Sequence, residues 1–421
     1  MAKLITTAPR GTQDVLPEES YKWQYIEQAL TALSQKFGFH EVRTPVFEHT
    51  QLFDRGVGDT TDIVQKEMYT FEDKGGRSIT LRPEGTASVV RCSLEHGLLG
   101  RSLPLKMSYL IDCFRYEKPQ AGRYRQFRQF GAEVFGSQHP ACDAELIAFV
   151  SQIFETLGVG DIGVEINSIG CPKCRPMYHD KLRAYFNQHI DQLCPTCRER
   201  LEKNPLRILD CKNDSCKEVA AGAPRGIDNL CEECHDHFEG VKTRLDAMGI
   251  SYTVNPQIVR GLDYYTKTVF EFVSQNIGAQ GTVCGGGRYD GLVQTLGGAP
   301  TPAIGFAIGL QRLMLVMEHA GAFMGRDTVC DLYIASIGEA ASVKSQQIAM
   351  DLRRQGFFCE SDVQGRSLKA QMKYADKLGA RYTLVLGDDE IAAGRGKVKN
   401  METGEETETD FSALGGLLGK R

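Results

Sequence analysis

Residues 106–136 constrain the fold more than any other part of the chain, because they predict one antiparallel hairpin. Two apolar-rich runs flank a loop that carries a proline, a glycine and three cations, which combines the chemistry of a turn with that of an anion-binding segment. Alternate residues of a strand share a face. One predicted face is apolar and suits a core, and its members are Phe114, Tyr116, Phe130, Ala132 and Val134.

The other face of the predicted hairpin is polar. Its members are Arg115 and Glu117 on the first strand and Phe127, Gln129 and Glu133 on the second. Unpaired polar groups are costly inside a sheet. The face therefore requires either a bound ligand, which the pattern favours, or a structural network of paired arginine and glutamate.

The overall composition excludes a function that depends on bulk electrostatic attraction. A formal net charge of −5 gives no general affinity for nucleic acid, so any RNA contact must use local patches. The N-terminus lacks a signal-peptide pattern, and no run of about 18 apolar residues occurs, which predicts a cytosolic protein with no membrane segment. The 421 residues suffice for about three domains.

Residues 79–91, ITLRPEGTASVVR, predict a strand that ends at Pro83 and a helix that begins near Gly85. Glu84 and Thr86 then lie at the junction, where a carboxylate and a hydroxyl are able to bind an ammonium group. A helix cap with an acidic first turn explains these residues equally well.

Eight of the 14 cysteines fall between Cys171 and Cys234, in a charged, helical segment that reads as an insertion ending near residue 248. CPKC, CPTC and CEEC have the spacing that lets two thiolates reach one tetrahedral metal ion, whereas CKNDSC is wider. In a reducing compartment the pattern favours metal over disulfides.

The predicted metal is zinc in a structural role, and free thiols are the alternative. Eight thiols suffice for two ions, or for one ion with spare cysteines. The candidate ligands are Cys194, Cys197, Cys231 and Cys234; His235 and His237 are weaker candidates.

Two later segments carry isolated arginines. In IVRGLDYYTKTVFEF, Arg260 precedes a glycine and the Tyr264–Tyr265 pair, and an alternating strand follows. PAIGFAIGLQRLML predicts a strand that turns at Gly309 into a helix with Arg312 in its first turn. A cation there opposes the helix dipole, which points to an anionic partner.

The segment AQGTVCGGGRYDGL contains three consecutive glycines, at positions 285–287. No Lys-Ser/Thr follows them, so this is not a Walker-type phosphate loop. A tight bend between strands is the expectation. Beyond residue 327 the chain alternates strands and helices, which predicts a compact α/β domain with a largely parallel sheet.

Five of these motifs occur in the order found in one family. The hairpin resembles the second signature motif of class II aminoacyl-tRNA synthetases, and PAIGFAIGLQRLML resembles the third. RGLDYYT, GGGRYDGL and LRPEGTA are similar to peptides of the histidyl-tRNA synthetases, and the terminal segment resembles their anticodon-binding domain.

The resemblance implies an α+β fold: a six-stranded antiparallel catalytic sheet flanked by helices, an inserted helical cysteine-rich domain and a C-terminal α/β anticodon-binding domain. The corresponding domains are residues 1–170 and 249–322 for the catalytic part, 171–248 for the insertion and 329–421 for the anticodon-binding part. A homodimer is also implied.

Residue by residue, the family pattern gives each matching position a role. The site for L-histidine consists of Glu84, Gly85, Thr86, Gln129, Glu133, Tyr264 and Tyr265. Glu84, Thr86 and Gln129 surround the α-amino group in this pattern. Glu133 and Tyr265 face the imidazole, with Tyr264 alongside, and a buried site built for such bonds rejects apolar analogues strongly.

The ATP site implied by the resemblance consists of Arg115, Glu117, Phe127 and Arg312. Phe127 stacks on adenine, Arg115 holds the α-phosphate and Arg312 holds the γ-phosphate. Arg260 and Arg115 are the implied catalytic residues, assisted by Mg²⁺, while the α-phosphorus is attacked.

The implied activity is that of a cytoplasmic histidine–tRNA ligase, which makes histidyl-adenylate and transfers histidine to its tRNA. The alternative is a histidine-sensing regulatory subunit of ATP phosphoribosyltransferase, a paralogue that typically lacks the anticodon-binding domain and degrades RGLDYYT. Both features are intact here. The cysteine-rich insertion and Arg128, which points to the apolar side and toward a neighbouring element, depart from the commonest pattern.

Overall fold

The computed structural model describes residues 5–58, 61, 63–209, 211, 213–258, 262–277 and 281–419. The chain divides into two compact units, Met1–Gly325 and Arg326–Arg421. The cysteine-rich segment belongs to the first unit. The domain boundaries drawn from the sequence within that unit stay predictions.

The first unit is built on strands that fall into two sheets. The strands are β1 (His40–Glu41), β2 (Phe47–His49), β3 (Tyr69–Glu72), β4 (Ser78–Leu81), β5 (Leu105–Phe114), β6 (Gln126–Phe135), β7 (Gly163–Ser168), β8 (Thr253–Val254), β9 (Thr266–Val273), β10 (Thr282–Arg288) and β11 (Ala303–Gly309). The large sheet has the order β1-β5-β6-β11-β10-β9-β7-β8, and the small one β2-β4-β3.

The large sheet confirms the antiparallel fold predicted from the motifs. It also has one additional short strand at each edge. Strands β5, β6, β11, β10, β9 and β7 pair antiparallel. The two-residue strands β1 and β8 pair parallel to β5 and β7, so the described sheet has eight strands rather than six.

The prediction of a hairpin is correct for its two strands but wrong for the residues next to the loop. Strand β5 ends at Phe114, so Arg115 and Glu117 lie in the loop and not on the strand. The backbone N–H of Tyr116 donates to the carbonyl of Glu67, which pulls the chain away from the hairpin partner. Tyr116 is consequently exposed, although the alternation placed it in the core.

The three consecutive glycines lie inside β10 and not at a bend, which corrects the sequence expectation. A Cβ on Gly286 would lie 2.5 Å from the carbonyl oxygen of Gly305, and one on Gly287 would lie 2.7 Å from that of Thr268. Such contacts are too short for any side chain. The glycines are therefore required by the close approach of neighbouring strands.

Helices cover the large sheet and form the insertion. They are α1 (Pro17–Lys36), α2 (Thr50–Val57), α3 (Thr86–Glu95), α4 (Pro140–Thr156), α5 (Arg175–Gln188), α6 (Pro195–Lys203), α7 (Asp214–Ala221), α8 (Glu232–Ala247), α9 (Leu292–Thr295) and α10 (Leu310–His319). Residues of α1, α4, α8 and α10 pack against Phe130, Ala132 and Val134 in one core, as the alternation of β6 predicts. Among the described residues, no helix has the length and apolar character that crossing a membrane requires.

The second unit has its own sheet, of order β13-β12-β14-β15-β16. Its elements are β12 (Leu332–Ser336), α11 (Glu339–Arg354), β13 (Cys359–Ser361), α12 (Leu368–Lys377), β14 (Tyr382–Leu386), α13 (Asp388–Ala393), β15 (Arg395–Asn400), β16 (Glu406–Asp410) and α14 (Leu414–Leu418). The first three strands are parallel, as predicted, and the last two add an antiparallel edge.

Candidate active site

Glu133 of β6 is buried and surrounded by hydroxyl groups. Its Oε1 accepts hydrogen bonds from Thr86 Oγ1 at 2.7 Å and from the Tyr109 hydroxyl at 2.9 Å. Its Oε2 accepts one from the Tyr289 hydroxyl at 2.5 Å. These contacts bring together α3, β5, β6 and the residue that follows β10 around one buried carboxylate.

The environment of Glu133 favours its neutral form in the absence of a ligand. Burial raises the pKa of this carboxyl to about 8, against the lowering effect of the hydroxyl donors from Tyr289, Thr86 and Tyr109. A buried carboxyl with a pKa near neutrality is typical of functional sites. It is able to accept a hydrogen bond, or to share a proton, from a nitrogen that enters the pocket.

The strand-to-helix junction carries the second buried carboxylate. Glu84 accepts hydrogen bonds from the backbone N–H groups of Thr86 and Ala87, both at 2.8 Å. The capping alternative is thus realised, and burial still raises the pKa of Glu84. A Cβ on Gly85 would lie 2.5 Å from the ring of Tyr109, so the glycine makes room for that ring.

Tyr264, the first residue of the tyrosine pair, lies near both buried carboxylates. The ring centroid of Tyr264 is 4.7 Å from that of Tyr265 and 5.6 Å from that of Tyr289. Burial, followed by the charges of Tyr265, Glu84 and Glu133, raises the pKa of Tyr264 well above its usual range. A cavity of about 540 Å³ adjoins both rings, and its other lining residues include Arg55, Gln138, Cys171, Asp263 and Asp290.

Gln129 lies on the polar face of β6, four residues before Glu133 and on the same side of the strand. Its Oε1 accepts a hydrogen bond from the Cys113 thiol of β5 at 3.3 Å. Burial raises the pKa of Cys113 to about 12, so the thiol stays protonated and orients the amide.

Several arginines lie around Glu117 in the loop that connects β5 and β6. Arg123 forms an ion pair with Glu117, and Arg115 Nη1 lies 3.9 Å from the same carboxylate. Arg312 donates to the carbonyl of Thr282 at 2.6 Å. Burial lowers the pKa of Arg312, the charges of Arg123 and Arg115 lower it further, and Glu117 counteracts them.

Several cations near one carboxylate leave an excess of positive charge, which suits a multiply charged anion. Arg115 Nε donates to the carbonyl of Pro83 at 2.8 Å, and its guanidinium carbon lies 5.2 Å from the centroid of Phe127. The hairpin loop also reaches α10: Gly122 has φ +68°, and a Cβ there would lie 2.8 Å from Leu315. The loop thereby meets the helix that carries Arg312.

Arg260, the residue assigned the main catalytic role, lies outside the described residues. Arg128 behaves as predicted: its Nε lies 3.2 Å from Glu27 of α1, so it stabilises the helix on the opposite side of the sheet.

A second polar network is buried beside the pocket and is structural. Arg288 and Asp143 are both fully buried, with Nη1 to Oδ2 at 2.6 Å. His237 Nε2 of the insertion lies 3.0 Å from Asp143 Oδ1, so this histidine supports α4 and is no metal ligand in the arrangement described. Burial would raise the pKa of Asp143, but Arg288 and His237 outweigh it and lower the pKa.

The eight clustered cysteines form two groups, and the four candidate ligands named from the sequence are divided between them. One group is Cys171, Cys174, Cys231 and Cys234, and the other is Cys194, Cys197, Cys211 and Cys216. The set Cys194, Cys197, Cys231 and Cys234 takes two residues from each group. The spacing in the sequence identified the cysteine pairs. Which two pairs lie together depends on how helices α5 to α8 pack, and the spacing does not show this.

The sequence reasoning missed two hydroxyl donors, Tyr109 and Tyr289. Tyr109 alternates with Met107 and Ile111, so the pattern alone makes it a core residue. Tyr289 stands in GGGRYDGL, where the glycines drew attention to a turn. A signal for Tyr109 exists at Gly131, directly opposite on β6, where a Cβ would lie 2.3 Å from the tyrosine ring.

Comparisons with known proteins cover nearly the whole chain. A family model described as Histidyl-tRNA synthetase matches residues 11–173 and 192–313, and one described as Anticodon binding domain matches residues 331–421. A curated histidine–tRNA ligase of Acetivibrio thermocellus is 57% identical over 98% of this chain and 99% of that protein.

Solved structures agree with these matches. The apo histidyl-tRNA synthetase of S. aureus is 41% identical, covers 99% of this chain and 100% of that one, and has a TM-score of 0.85. A Bacillus halodurans protein described as an ATP phosphoribosyltransferase regulatory subunit/histidyl-tRNA synthetase is 21% identical with a TM-score of 0.63, covering 89% of this chain and 97% of that one. It shares the fold. On the family models and the relatives together, this chain belongs to the histidyl-tRNA synthetase family.

Proposed function

We propose that this protein is a histidine–tRNA ligase, which activates L-histidine with ATP and transfers it to the 3′ end of its tRNA. The observation that carries the proposal is the buried Glu133, which accepts hydrogen bonds from three hydroxyl groups, together with the arginines around Glu117, of which Arg115 interacts with the neighbouring Glu84. The part of the site around Glu133 recognises a polar ring, and the part around Glu117 recognises an anion.

The histidine end uses hydrogen bonds that an apolar side chain cannot replace. Glu133 accepts a hydrogen bond from an imidazole N–H, and the tyrosine pair bounds the ring. Gln129, Thr86 and Glu84 surround the α-amino group. The oxygens of Glu84 already accept backbone N–H groups, but each retains a second lone pair for the ammonium.

The ATP end is electropositive. Arg115 binds the α-phosphate, Arg312 binds the γ-phosphate and Phe127 stacks on adenine. Mg²⁺ bound to ATP would meet the carboxylates of Glu117 and Glu271, which lie near Arg312 and are the hard oxygen donors that this ion prefers. When bound, the ion would neutralise charge on the phosphates.

The first step is an in-line attack of the histidine carboxylate on the α-phosphorus, which releases pyrophosphate. The protein supplies position and charge: Arg115 and Arg260 stabilise the negative charge that develops on the α-phosphate. In the second step a hydroxyl of the terminal adenosine of the tRNA attacks the activated carbonyl, and AMP leaves.

The remaining partners complete the proposal. The second unit, matched by an anticodon-binding model, contacts the tRNA, and the catalytic unit forms a homodimer. The cytoplasm is the proposed compartment, because all 14 cysteines are unbridged, which suits a reducing environment. The regulatory-subunit alternative is not favoured, since the matched anticodon domain and RGLDYYT are both present.

Histidine-dependent exchange between ATP and pyrophosphate, measured on the purified protein with other amino acids in parallel, tests the first step. Exchange with histidine alone, followed by charging of a histidine tRNA transcript, is the expected result. Histidine binding without any exchange would overturn the proposal and return the regulatory alternative.

A further inference from the structure

We infer that the insertion binds two zinc ions, one in each cysteine group, and that together they hold the loop carrying Tyr264 and Tyr265. The first site consists of Cys171, Cys174, Cys231 and Cys234, and the second of Cys194, Cys197, Cys211 and Cys216. The positioning role rests on the proposed function, whereas metal binding does not.

The sulfur spacing fits a single tetrahedral ion. Zn–S bonds of about 2.3 Å place the sulfurs of a tetrahedron about 3.8 Å apart. In the first group, Cys171 Sγ lies 3.7 Å from Cys174 Sγ and 3.9 Å from Cys231 Sγ. In the second, Cys194 Sγ lies 3.9 Å from Cys211 Sγ. A disulfide would require about 2.05 Å.

Backbone N–H groups point at the sulfurs, as they do where thiolates are held for a metal. The N–H of Lys173 donates to Cys171 Sγ at 3.4 Å, and that of Cys231 to Cys174 Sγ at 3.2 Å. In the second group the N–H of Cys194 donates to Cys216 Sγ at 3.2 Å. Such outer contacts orient ligands and stabilise their negative charge.

Cations surround the first group. Four thiolates with one divalent ion carry a net charge of −2, which buried surroundings disfavour unless positive groups lie near. Arg175 interacts with the charges of Cys171 and Cys174, and Lys173 with that of Cys231. Lys173 and the buried Lys267 both pair with Glu233, next to Cys234.

The first site lies directly against the start of β9. The carbonyl of Gly170, one residue before Cys171, accepts from the backbone N–H of Lys267 at 2.9 Å and from Thr266 Oγ1 at 3.1 Å. Arg175 donates to the backbone carbonyl of Tyr265. Cys171 and Tyr265 also line the same cavity, so the metal-binding turn forms a wall of the site.

The second site supports the same loop from another direction. It joins α6 to α7, and the segment between them carries Arg207, which is buried and lies 2.8 Å from Asp263 Oδ1. Asn204 Nδ2 donates to the same oxygen at 3.2 Å. Asp263 immediately precedes Tyr264, and Arg175 beside the first group contacts Tyr265, so the two groups support the loop on either side of Tyr264.

Zinc is the metal favoured by this arrangement. Four soft thiolates in a tetrahedron select zinc or iron, and helical turns that begin with CxxC pairs are typical of structural zinc sites. No thiol is left over in either group to act as a displaceable ligand, so the sites are structural rather than catalytic.

Elemental analysis of the full-length protein, purified without chelator, tests the assignment. We expect two zinc ions per chain in wild type and one in each of two double variants, Cys171→Ser/Cys174→Ser and Cys194→Ser/Cys197→Ser. Cys92→Ser, outside both groups, is the control and keeps two. Less than one zinc per wild-type chain, or iron in its place, would overturn the inference.

Cobalt provides a measurement that needs no variant. Wild-type protein stripped with a chelator and titrated with Co²⁺ alone is expected to give the absorption of tetrahedral tetrathiolate cobalt, saturating at two equivalents. Saturation at one equivalent, or an octahedral spectrum, would refute the two-site arrangement even if the double variants fail to fold.

The positioning role is read from kinetics in the exchange assay. Loss of the first site is expected to raise KM for histidine by about tenfold or more, the scale of losing a supporting shell, with KM for ATP little changed. Arg207→Ala, which keeps every cysteine, is expected to shift the same constant in the same direction. Two zinc ions bound to wild type, with an unchanged histidine KM in both Cys171→Ser/Cys174→Ser and Arg207→Ala, would refute the positioning role alone.

Discussion

The hydroxyl of Tyr289 reaches Glu133 Oε2 at 2.5 Å by passing over β11, the strand that separates β6 from β10. The passage is open because Gly305 lies opposite Glu133 on that intervening strand. Glu133 and Tyr289, which are far apart in the chain, thus meet across the space that the missing side chain of Gly305 leaves.

Tyr289→Phe removes the hydroxyl donor and nothing else. An ordinary hydrogen bond contributes about 0.5–1.5 kcal/mol, so KM for histidine in pyrophosphate exchange should rise by up to about tenfold. Tyr185→Phe is the matched control, because its hydroxyl donates to the carbonyl of Val219 at 2.9 Å inside the insertion. An unchanged KM for Tyr289→Phe would remove this residue from the histidine pocket.

Gly305→Ala should inactivate the protein almost as thoroughly as loss of Glu133. A Cβ at Gly305 would lie 1.6 Å from Glu133 Oε2, so the carboxylate must leave its place. Gly309→Ala, at the end of the same strand, meets nothing within 4 Å and should retain activity. Steady-state exchange rates, with circular dichroism to verify folding, distinguish the two. Equal activity of the two variants would contradict the geometry described for β11.

The stability of the ligand-free protein should depend on pH through Glu133. Its pKa rises from an ordinary 4.5 to about 8 on folding, so between these values the folded state binds more protons than the unfolded state. The free energy of unfolding therefore falls as pH rises through this window, by at most about 1.4 kcal/mol per pH unit. Denaturant unfolding of wild type and Glu133→Gln from pH 5 to pH 9 measures the difference. Parallel pH profiles for the two proteins would refute it.

Arg260→Ala should leave ATP affinity largely intact and lower the rate of adenylate formation by about a hundredfold or more, the usual scale for losing one preorganised charge donor. Rapid-quench measurement of adenylate, beside ATP binding, separates these effects. Lys373→Ala, exposed on α12 of the second unit, serves as the control cation. Adenylation at the wild-type rate would require another residue for the role.

Arg288→Met should destabilise the first unit by about 3–5 kcal/mol, because it leaves Asp143 buried with an uncompensated charge. Arg77→Met removes an exposed pair with Asp73, which water screens, and should change the free energy of unfolding little. Denaturant unfolding followed by tryptophan fluorescence of Trp23, on α1 of this unit, is the measurement. Similar losses for both variants would contradict the structural role of the buried network.

Local alternation predicted much of this fold. The apolar face of β6, the start of α3 and the turn from β11 into α10 follow from spacing within a few residues. The exit of Tyr116 from the hairpin does not, because it depends on a backbone hydrogen bond to Glu67, far away in sequence.

The composition of the pocket was harder to predict for the same reason. Glu133 was identified by its place on a polar face, but its partners arrive from β5 and from beyond β10, and the strand order that unites them is not sequential. The pairing of the cysteines likewise depends on how four helices pack. The glycines of β10 were predicted to form a bend because glycine has unusual conformational freedom. The structure requires glycine there for another reason, since neighbouring strands approach too closely for a side chain.

The strand order also determines when the site can form during synthesis. Strand β6 is complete at Phe135, but its partner β11 begins only at Ala303. Likewise, Asp143 is synthesised long before Arg288, with which it forms an ion pair. Until then β6 is an open sheet edge and Asp143 lacks its main counter-ion. A ribosome stalled between these points would hold a chain with one unpaired strand edge and an incomplete histidine site, the kind of intermediate that is prone to aggregate.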